Sequence, residues 1–568
     1  MNLTVGVTGH RDLVASEVPA LRNQVRAFFV DLKASFPGLD LQLLSPLAEG
    51  SDQLVAEVAL ELGIPLVVPL PMSQADYEKD FSHDAALDQF RNLLEHAEII
   101  PLPLATDRPE PTDAAEASER EMQYMQVGVF VSNHCQVLLA LWDGKVGGEP
   151  GGTSTVVNYH LTGVMPGYSI SEESPNLLAD NENDLVHHLV VSRDRPDGMP
   201  ADGLNPGEAS WLTAHFKRST GPHMPAEYRD MLLRLEEFNA DHQKYEQTIF
   251  EECSGLLEGV PDLQLPGGID FVNRLFSHTD WLAVHFQKRF NQGMLWTHAL
   301  AVIMGIVFIV YAEFDAAQWV LYLFLALFLA GVIIFAIGEH RQWHRKYLDY
   351  RALAEGLRVQ LYWNLAGVVE TRSAIFAYDN FLQKQDVDLG WIRHVMRSAS
   401  LRRDRIHPPD PAWVEWVTRQ WIGEPDGDIG QLAYYRRRSE VKSANYRRTT
   451  RLASISLWLG ISFAIILVVA TGRMSEYQRQ LLLVLMGVLP LVAGVRDTYS
   501  HKKAERELIK QYRFMGQVFS NARRLLSGST DLKFRRRVLK AVGNAALEEH
   551  AEWLLMHRER PLEHGGLG

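Results

Sequence analysis

The sequence predicts an α/β, doubly wound, mostly parallel sheet at the N-terminus, followed by an α-helical membrane region with four transmembrane helices in two hairpins. Three observations carry that prediction. Strand and helix patterns alternate through about the first 160 residues, four apolar stretches without Asp, Glu, Lys or Arg lie further along, and basic residues crowd the outer flanks of those stretches.

The alternation begins with a strand at Leu3–Val7, a turn at Thr8-Gly9-His10-Arg11-Asp12 and a helix from about Val18 to Ala34. A second strand, Leu41–Pro46, leads through Ala48-Glu49-Gly50-Ser51-Asp52 into a helix that ends near Leu62. Further strands follow at Pro65–Leu70, Glu98–Leu104 and Gln136–Trp142, with helices between them. Alternation of this kind makes parallel strands with helical crossovers. Leu185–Ser192 reads as one more strand, an added edge of the same sheet. Its adjacent His187 and His188 point to opposite faces, which argues against a shared metal ion. Ala226–Glu252 reads as a charged helix, and another helix starts near Ile269 and runs through Asp280, His285 and Arg289 into the first apolar stretch.

The apolar stretches run from about Leu295 to Tyr311, Trp319 to Ile337, Leu452 to Ala470 and Leu481 to Val495. Each approaches the roughly 20 residues that cross a hydrocarbon core. Lys288 and Arg289 precede the first, and Arg341, Arg345 and Lys346 follow the second. Arg436, Arg437, Arg438, Lys442, Arg447, Arg448 and Arg451 precede the third; Arg496, Lys502 and Lys503 follow the fourth. The tips, Ala312–Gln318 and Thr471–Gln480, carry only Arg473 and Arg479. The positive-inside bias therefore puts both termini in the cytoplasm of a multi-pass inner-membrane protein. Shifting the first hairpin by about 160 residues lays it on the second. Amphipathic helices are expected after each pair, at Trp343–Glu355 and His501–Leu526. Gly305, Gly331, Gly460, Gly487 and Pro490 mark places for close helix approach or a kink.

Composition narrows the function. The chain has 568 residues, enough for three or four domains, and a net charge of −14, which argues against a nucleic-acid partner. Two cysteines, Cys135 and Cys253, support neither a disulfide framework nor a zinc site. Met1–Gly6 shows no signal-peptide pattern. Arg393–Arg405 reads as a basic linker ending in the proline turn His407-Pro408-Pro409-Asp410-Pro411. Arg535-Arg536-Arg537 reads as a solvated or lipid-facing patch on a C-terminal helix, and Gly565–Gly568 as a frayed end.

Ligands of doubly wound sheets sit beyond the C-terminal strand ends. Three loops fall there. Thr8, Gly9, His10 and Arg11 combine a tight turn with a guanidinium able to pair with phosphate. Glu49, Gly50, Ser51 and Asp52 offer a helix cap at Ser51 or Asp52 and a carboxylate for a ribose hydroxyl. Gly151, Gly152, Thr153 and Ser154 offer backbone amides at a helix start. The expected ligand is nucleotide-derived, with no other cofactor and no metal.

Val7-Thr8-Gly9-His10-Arg11, Glu49-Gly50-Ser51-Asp52 and Gly151-Gly152-Thr153, in this order, resemble the SLOG superfamily, the Rossmann-like group of Lonely-Guy phosphoribohydrolases and nucleotide sensors. The hydrolases carry a PGGxGTxxE signature with a catalytic glutamate. Here Pro150-Gly151-Gly152-Thr153-Ser154-Thr155-Val156-Val157-Asn158 has Ser154 in place of a glycine and Asn158 in place of the glutamate. An amide cannot act as that acid or base, so the expectation is a binding domain and not an enzyme. The hairpins, through Tyr350-Arg351-Ala352-Leu353-Ala354-Glu355-Gly356-Leu357-Arg358, resemble SLATT two-span modules of bacterial conflict systems. Lys510-Gln511-Tyr512-Arg513-Phe514-Met515-Gly516-Gln517 departs from that pattern.

The expected organisation is a SLOG-like domain at 1–200, a helical connector at 201–293, a first hairpin with its long helix at 294–392, a basic linker at 393–450, a second hairpin at 451–527 and a tail at 528–568. The resemblance implies a homo-oligomeric membrane effector, gated by a nucleotide or ADP-ribose-like molecule, that forms a pore or disrupts the inner membrane in antiphage defence. Alternatives are a membrane-anchored nucleotide glycosidic-bond hydrolase, with Arg11 on the phosphate and Glu49 as acid or base, and a scaffold with a degenerate pocket.

Overall fold

The computed structural model describes residues 1–104, 113–147, 150–165, 167, 184–219, 223–253, 255–257, 259–260, 264–314, 318–368, 381, 387–403, 410–424 and 427–558. The proline turn at 407–409, the segment 171–183 and the terminal 565–568 lie outside them. Two compact units emerge. One comprises Met1–Phe276 and Gly356–Asp410, the other Ser277–Glu355 and Pro411–Gly568.

In the first unit the chain runs β1 (Leu3–Gly9), α1 (Val18–Ser35), β2 (Leu41–Leu44), α2 (Ser51–Glu61), β3 (Leu66–Leu70), α3 (Gln74–Tyr77), α4 (Asp84–Leu94), β4 (Ala97–Pro101), α5 (Asp113–His134), β5 (Val137–Trp142), α6 (Thr153–Thr162), β6 (Leu185–Val190), β7 (Ala209–Thr213), β8 (Lys217–Ser219) and α7 (Ala226–Glu252). The strands form one sheet ordered β4-β3-β2-β1-β5-β6-β7-β8. β1 to β6 are parallel, while β7 and β8 are antiparallel additions. Helices cover both faces of a parallel sheet, so its central strands are buried on both sides; every residue of β5, Val-Leu-Leu-Ala-Leu-Trp, is buried.

The sheet corrects one expectation. β6 is not an edge: β5 pairs with it on one side and β7 on the other. His187 and His188 do face opposite ways. His187 stacks on Phe28 of α1 at 4.6 Å between ring centroids. The His188 Nε2 bonds to the Trp142 carbonyl at 2.9 Å while its Nδ1 meets Arg218 at 3.1 Å. Burial pushes both imidazoles down to about 4.

α8 (Ile269–Glu313) is one helix of 45 residues, about 68 Å long at 1.5 Å per residue. α9 (Trp319–His340) and α10 (Trp343–Ala366) follow, and then α11 (Gly390–Ala399). α11 overturns the linker expectation. Trp391, Ile392, Arg393, His394, Val395, Met396 and Arg397 are all buried in the first unit. Arg397 pairs with Asp184 at 3.0 Å, with both side chains at most 3% exposed. Burial opposes a charge on Asp184, but Arg397 and the neighbouring cations hold its pKa below the ordinary value. Gln136 donates to the Ser398 hydroxyl at 2.9 Å, and Gln360 of α10 donates to the Met396 carbonyl at the same distance.

The second unit adds α12 (Ala412–Val417), α13 (Gly430–Ala470), α14 (Glu476–Lys502), α15 (Glu505–Ser527) and α16 (Leu532–Arg558). α8, α9, α13 and α14 are each long and apolar enough to cross a membrane, and at most 6% of each apolar window is buried. Apolar surface on that scale needs a bilayer around it, so this is a multi-pass membrane protein. Small residues set the packing. A Cβ on Gly460 would sit 3.0 Å from Pro490, and one on Gly487 would sit 3.0 Å from Ile309. Gly305 abuts Leu491 more closely still, whereas a Cβ on Gly331 would meet, among the described residues, only Leu300, at 3.9 Å. α15 is amphipathic, burying Ile509, Met515, Phe519, Ala522 and Leu526 on one stripe. α10 is not: Tyr350, Ala352, Leu353, Ala354, Leu357, Val359 and Leu361 bury it all round.

Candidate ligand-binding site

In the first unit the strand order reverses between β1 and β5: from β1 the chain builds towards β4, and from β5 towards β8. Loops leaving two adjacent strands in opposite directions cannot close over each other, which leaves a crevice at their C-terminal ends. A cavity of about 910 Å³ lies there.

Nine of the twelve expected site residues line it: Thr8, Gly9, His10, Arg11, Asp52, Gly151, Gly152, Thr153 and Ser154. Glu49, Gly50 and Ser51 do not. Gly50, at φ +87°, brings its backbone against the Arg11 carbonyl, where a Cβ would collide. Ser51 donates to the His10 carbonyl from both its N–H (3.2 Å) and its hydroxyl (2.7 Å). Gly9 is small because Ser51 and Leu141 crowd it. The second loop thus braces the first, and Gly50, not Ser51 or Asp52, occupies the cap position of α2. The Glu49 carboxylate turns to the His83 ring at 2.6 Å and the Ser82 N–H at 3.1 Å. Partial burial opposes its charge, but those hydrogen bonds hold it below the ordinary value.

Asp52 is the member of that loop that reaches the cavity. Burial pushes its carboxyl up to about 7, against the Ala48 N–H and the charge of Arg11. The Arg11 guanidinium lies over the Tyr124 ring, 5.6 Å from its centroid. His10 Nε2 accepts the Asp143 N–H at 3.2 Å and stands 3.2 Å from the Asp143 carboxylate. Burial outweighs that carboxylate and lowers the His10 pKa, so a neutral ring with its proton on Nδ1 and Nε2 accepting the Asp143 N–H is the form that fits this backbone contact. It ties the β1 loop to the β5 loop.

Gly151 takes φ +74° beneath the Tyr124 and Met125 backbone. Gly152 caps α6 without a side-chain hydrogen bond, so the first turn of α6 presents backbone N–H groups and the positive end of the helix dipole. Asn158, where the hydrolase signature has its glutamate, donates to the Val164 carbonyl at 2.8 Å and is not a lining residue.

Sequence reasoning missed Asp12, Tyr77, Tyr124, Asp143, Lys145, Arg193 and Arg195, all of which line the cavity. Arg193 pairs with Asp12 at 2.8 Å, and Arg195 with Asp197 at 3.2 Å. Lys145 donates to the Asp197 carbonyl at 2.6 Å. A signal for the arginines existed: Ser192-Arg193-Asp194-Arg195 begins two residues past the end of β6, where the other loops gather. Four cationic side chains then face three carboxyl groups, one of them titrating near neutrality. With the α6 N-terminus added, the cavity favours an anion.

No family of known proteins, no curated protein and no solved structure matches this chain.

Proposed function

We propose that this chain is a membrane effector whose β1/β5 cavity binds a nucleotide-derived anion that controls the four-span bundle. The observation that carries the reading is the cationic crevice at the switch point, with an uncapped helix N-terminus and Arg11 beside an aromatic wall. Phosphate groups would meet the α6 amides with Arg11, Arg193 and Arg195, while the Tyr77 and Tyr124 side chains of the lining would flank the rest of the ligand. α8 runs without interruption from the first unit into the first span, a route by which an ordered cavity can bias the bundle. Both termini would be cytoplasmic, and the outcome would be a pore or disrupted inner membrane; the defence role rests on the resemblance to SLOG and SLATT modules.

A second reading has its own support. Asp52, a carboxyl titrating near pH 7 inside the cavity, is suited to proton transfer in a nucleotide glycosidic-bond hydrolase, the place that Glu49 does not fill. Product formation from nucleoside monophosphates, abolished in Asp52→Asn, would favour it.

The deciding experiment is thermal unfolding of the detergent-solubilised chain with nucleotides, cyclic oligonucleotides and ADP-ribose derivatives. A native-state ligand at a hundredfold excess over its Kd adds about 2.7 kcal/mol of stability. A shift present in wild type and lost in Arg11→Ala, with leakage of liposomes on addition of the same compound, is the expected result. No shift from any compound would reject ligand control in favour of a scaffold. Asp52 adds a pH signature. Its folded pKa of about 7 exceeds the unfolded 3.8, so the folded state holds the extra proton between them and stability falls as pH rises through that window. Ionised Asp52 also repels a phosphate. Binding should weaken as pH rises through 7, and Asp52→Asn should flatten both dependences.

A further inference from the structure

The third span carries a groove that the nucleotide reading does not use. About 400 Å³ in volume, it is lined by Tyr446, Arg447, Thr450, Arg451, Ser454 and Ile455, one face of α13. Arg451 is the last charged residue before the apolar run, so the groove crosses from a cationic surface onto membrane-facing helix. Arg447 and Arg451, four residues apart, lie on the same side of the helix. Both are exposed, and neither has a carboxylate partner among the described residues.

The surroundings add positive charge. Tyr446 has the Arg496 guanidinium 5.3 Å and the Arg506 guanidinium 5.6 Å from its ring centroid, and Arg506 also bonds to its hydroxyl. Arg496 donates to the Thr449 and Thr450 hydroxyls at 2.6 and 3.1 Å. Its carboxylate neighbours, Asp497 and Glu505, stand at 4.0 and 3.9 Å, the limit of an ion pair. Lys442, a turn further back on α13, has its pKa lowered by burial and by the charge of Lys503, as expected where cations outnumber anions.

We propose that this groove holds the headgroup phosphate of an anionic phospholipid, with Arg447 and Arg451 as its ligands and the lipid's first acyl carbons against Ile455. A guanidinium pair matches phosphate oxygens in geometry and charge. The occupant is a lipid and not a soluble anion because the groove opens onto apolar helix: Ile455 is 55% exposed and Leu452 56% exposed.

The test uses the full chain in neutral detergent and reads retained lipid by native mass spectrometry. The probes are phosphatidylglycerol, phosphatidylcholine with the same acyl chains, and free glycerol phosphate. Wild type should retain phosphatidylglycerol over phosphatidylcholine, and glycerol phosphate should not displace it. The double variant Arg447→Gln, Arg451→Gln should lose about thirtyfold in that preference, two surface charges' worth. Arg448→Gln, which removes one charge at the next position but outside the groove, should leave it near wild type. Arg447→Lys with Arg451→Lys keeps the charge and should retain most of the preference, which holds the test open if the glutamine pair fails to fold. Equal loss in Arg448→Gln, displacement by glycerol phosphate, or equal retention of both lipids would each overturn the assignment.

Discussion

The two hairpins share a backbone plan and differ in what their outgoing helices do. In each, a long helix enters the membrane, a tight tip follows, and a second helix returns. The return helix then breaks at a left-handed, non-glycine residue: Gln342 at φ 47° before α10 and Ala504 at φ 48° before α15. Tyr350-Arg351 and Tyr512-Arg513 fall at the same distance into those helices. Beyond that point they part. α10 is buried on all sides and its second half belongs to the first unit, together with α11, whereas α15 shows one apolar stripe and remains in the second unit. The difference teaches that one local design serves two ends. The burial of the residues after the break, not the break itself, decides whether a hairpin is built into the sheet-bearing unit.

The largest expected effect tests that. Arg397→Met leaves Asp184 charged and buried without its partner, and should cost about 3–5 kcal/mol in thermal unfolding. The corresponding change on the second side, Arg535→Met, breaks a pair with the half-exposed Glu415 (2.6 Å) and should cost under about 1 kcal/mol. Similar losses would erase the distinction between the two hairpin continuations.

Next come the matched arginines. Arg351 bonds Asp280 at 2.8 Å and also Glu355, whereas among the described residues exposed Arg513 reaches only the Ser443 hydroxyl, at 3.2 Å. Arg351→Met should cost about 2–3 kcal/mol, and Arg513→Met about 1 kcal/mol or less. A double-mutant cycle with Asp280→Asn should show coupling for the first alone.

Inside the spans, Gly460→Leu pushes a side chain into Pro490 and should cost about 1–3 kcal/mol. Gly331→Leu, with only Leu300 nearby, should be close to neutral. Unfolding of both variants in the same detergent measures the contrast. The smallest effect sharpens the symmetry. Gln342→Gly and Ala504→Gly each relieve about 1–2 kcal/mol of left-handed strain and lose about 0.5–1 kcal/mol to glycine's entropy. Each should therefore stabilise slightly, and a change of opposite sign at the two positions would show the breaks to be unrelated.

Much of the fold was legible because the bilayer and the buried parallel sheet impose strong patterns. The four spans stand out as apolar runs, and β1 to β6 as short strand patterns alternating with helices. β7 and β8 did not, since five and three residues ending in Lys217-Arg218-Ser219 have no run to detect. α11 was misread because Arg393 and Arg397 belong on a surface by default; what permits the burial of Arg397 is Asp184, 213 positions away. The site was legible loop by loop and less so residue by residue. Glycine turns announced Gly9, Gly50 and Gly151, but not that Gly50 serves packing against Arg11 while Asp52 serves the cavity.

By itself, then, the sequence determined what depends on local periodicity and transfer to lipid: the alternating α/β start, the number and extent of the spans, and the glycine loops at strand ends. Only the tertiary structure decided what depends on residues far apart in the chain. The strand order places the switch point between β1 and β5, and so gathers the arginines after β6 with the turn after β1. The same long-range packing turns Glu49 away to His83 and draws the segment after the first hairpin into the sheet-bearing unit. Periodicity is written in neighbours, whereas the partner of a buried charge is chosen by the fold.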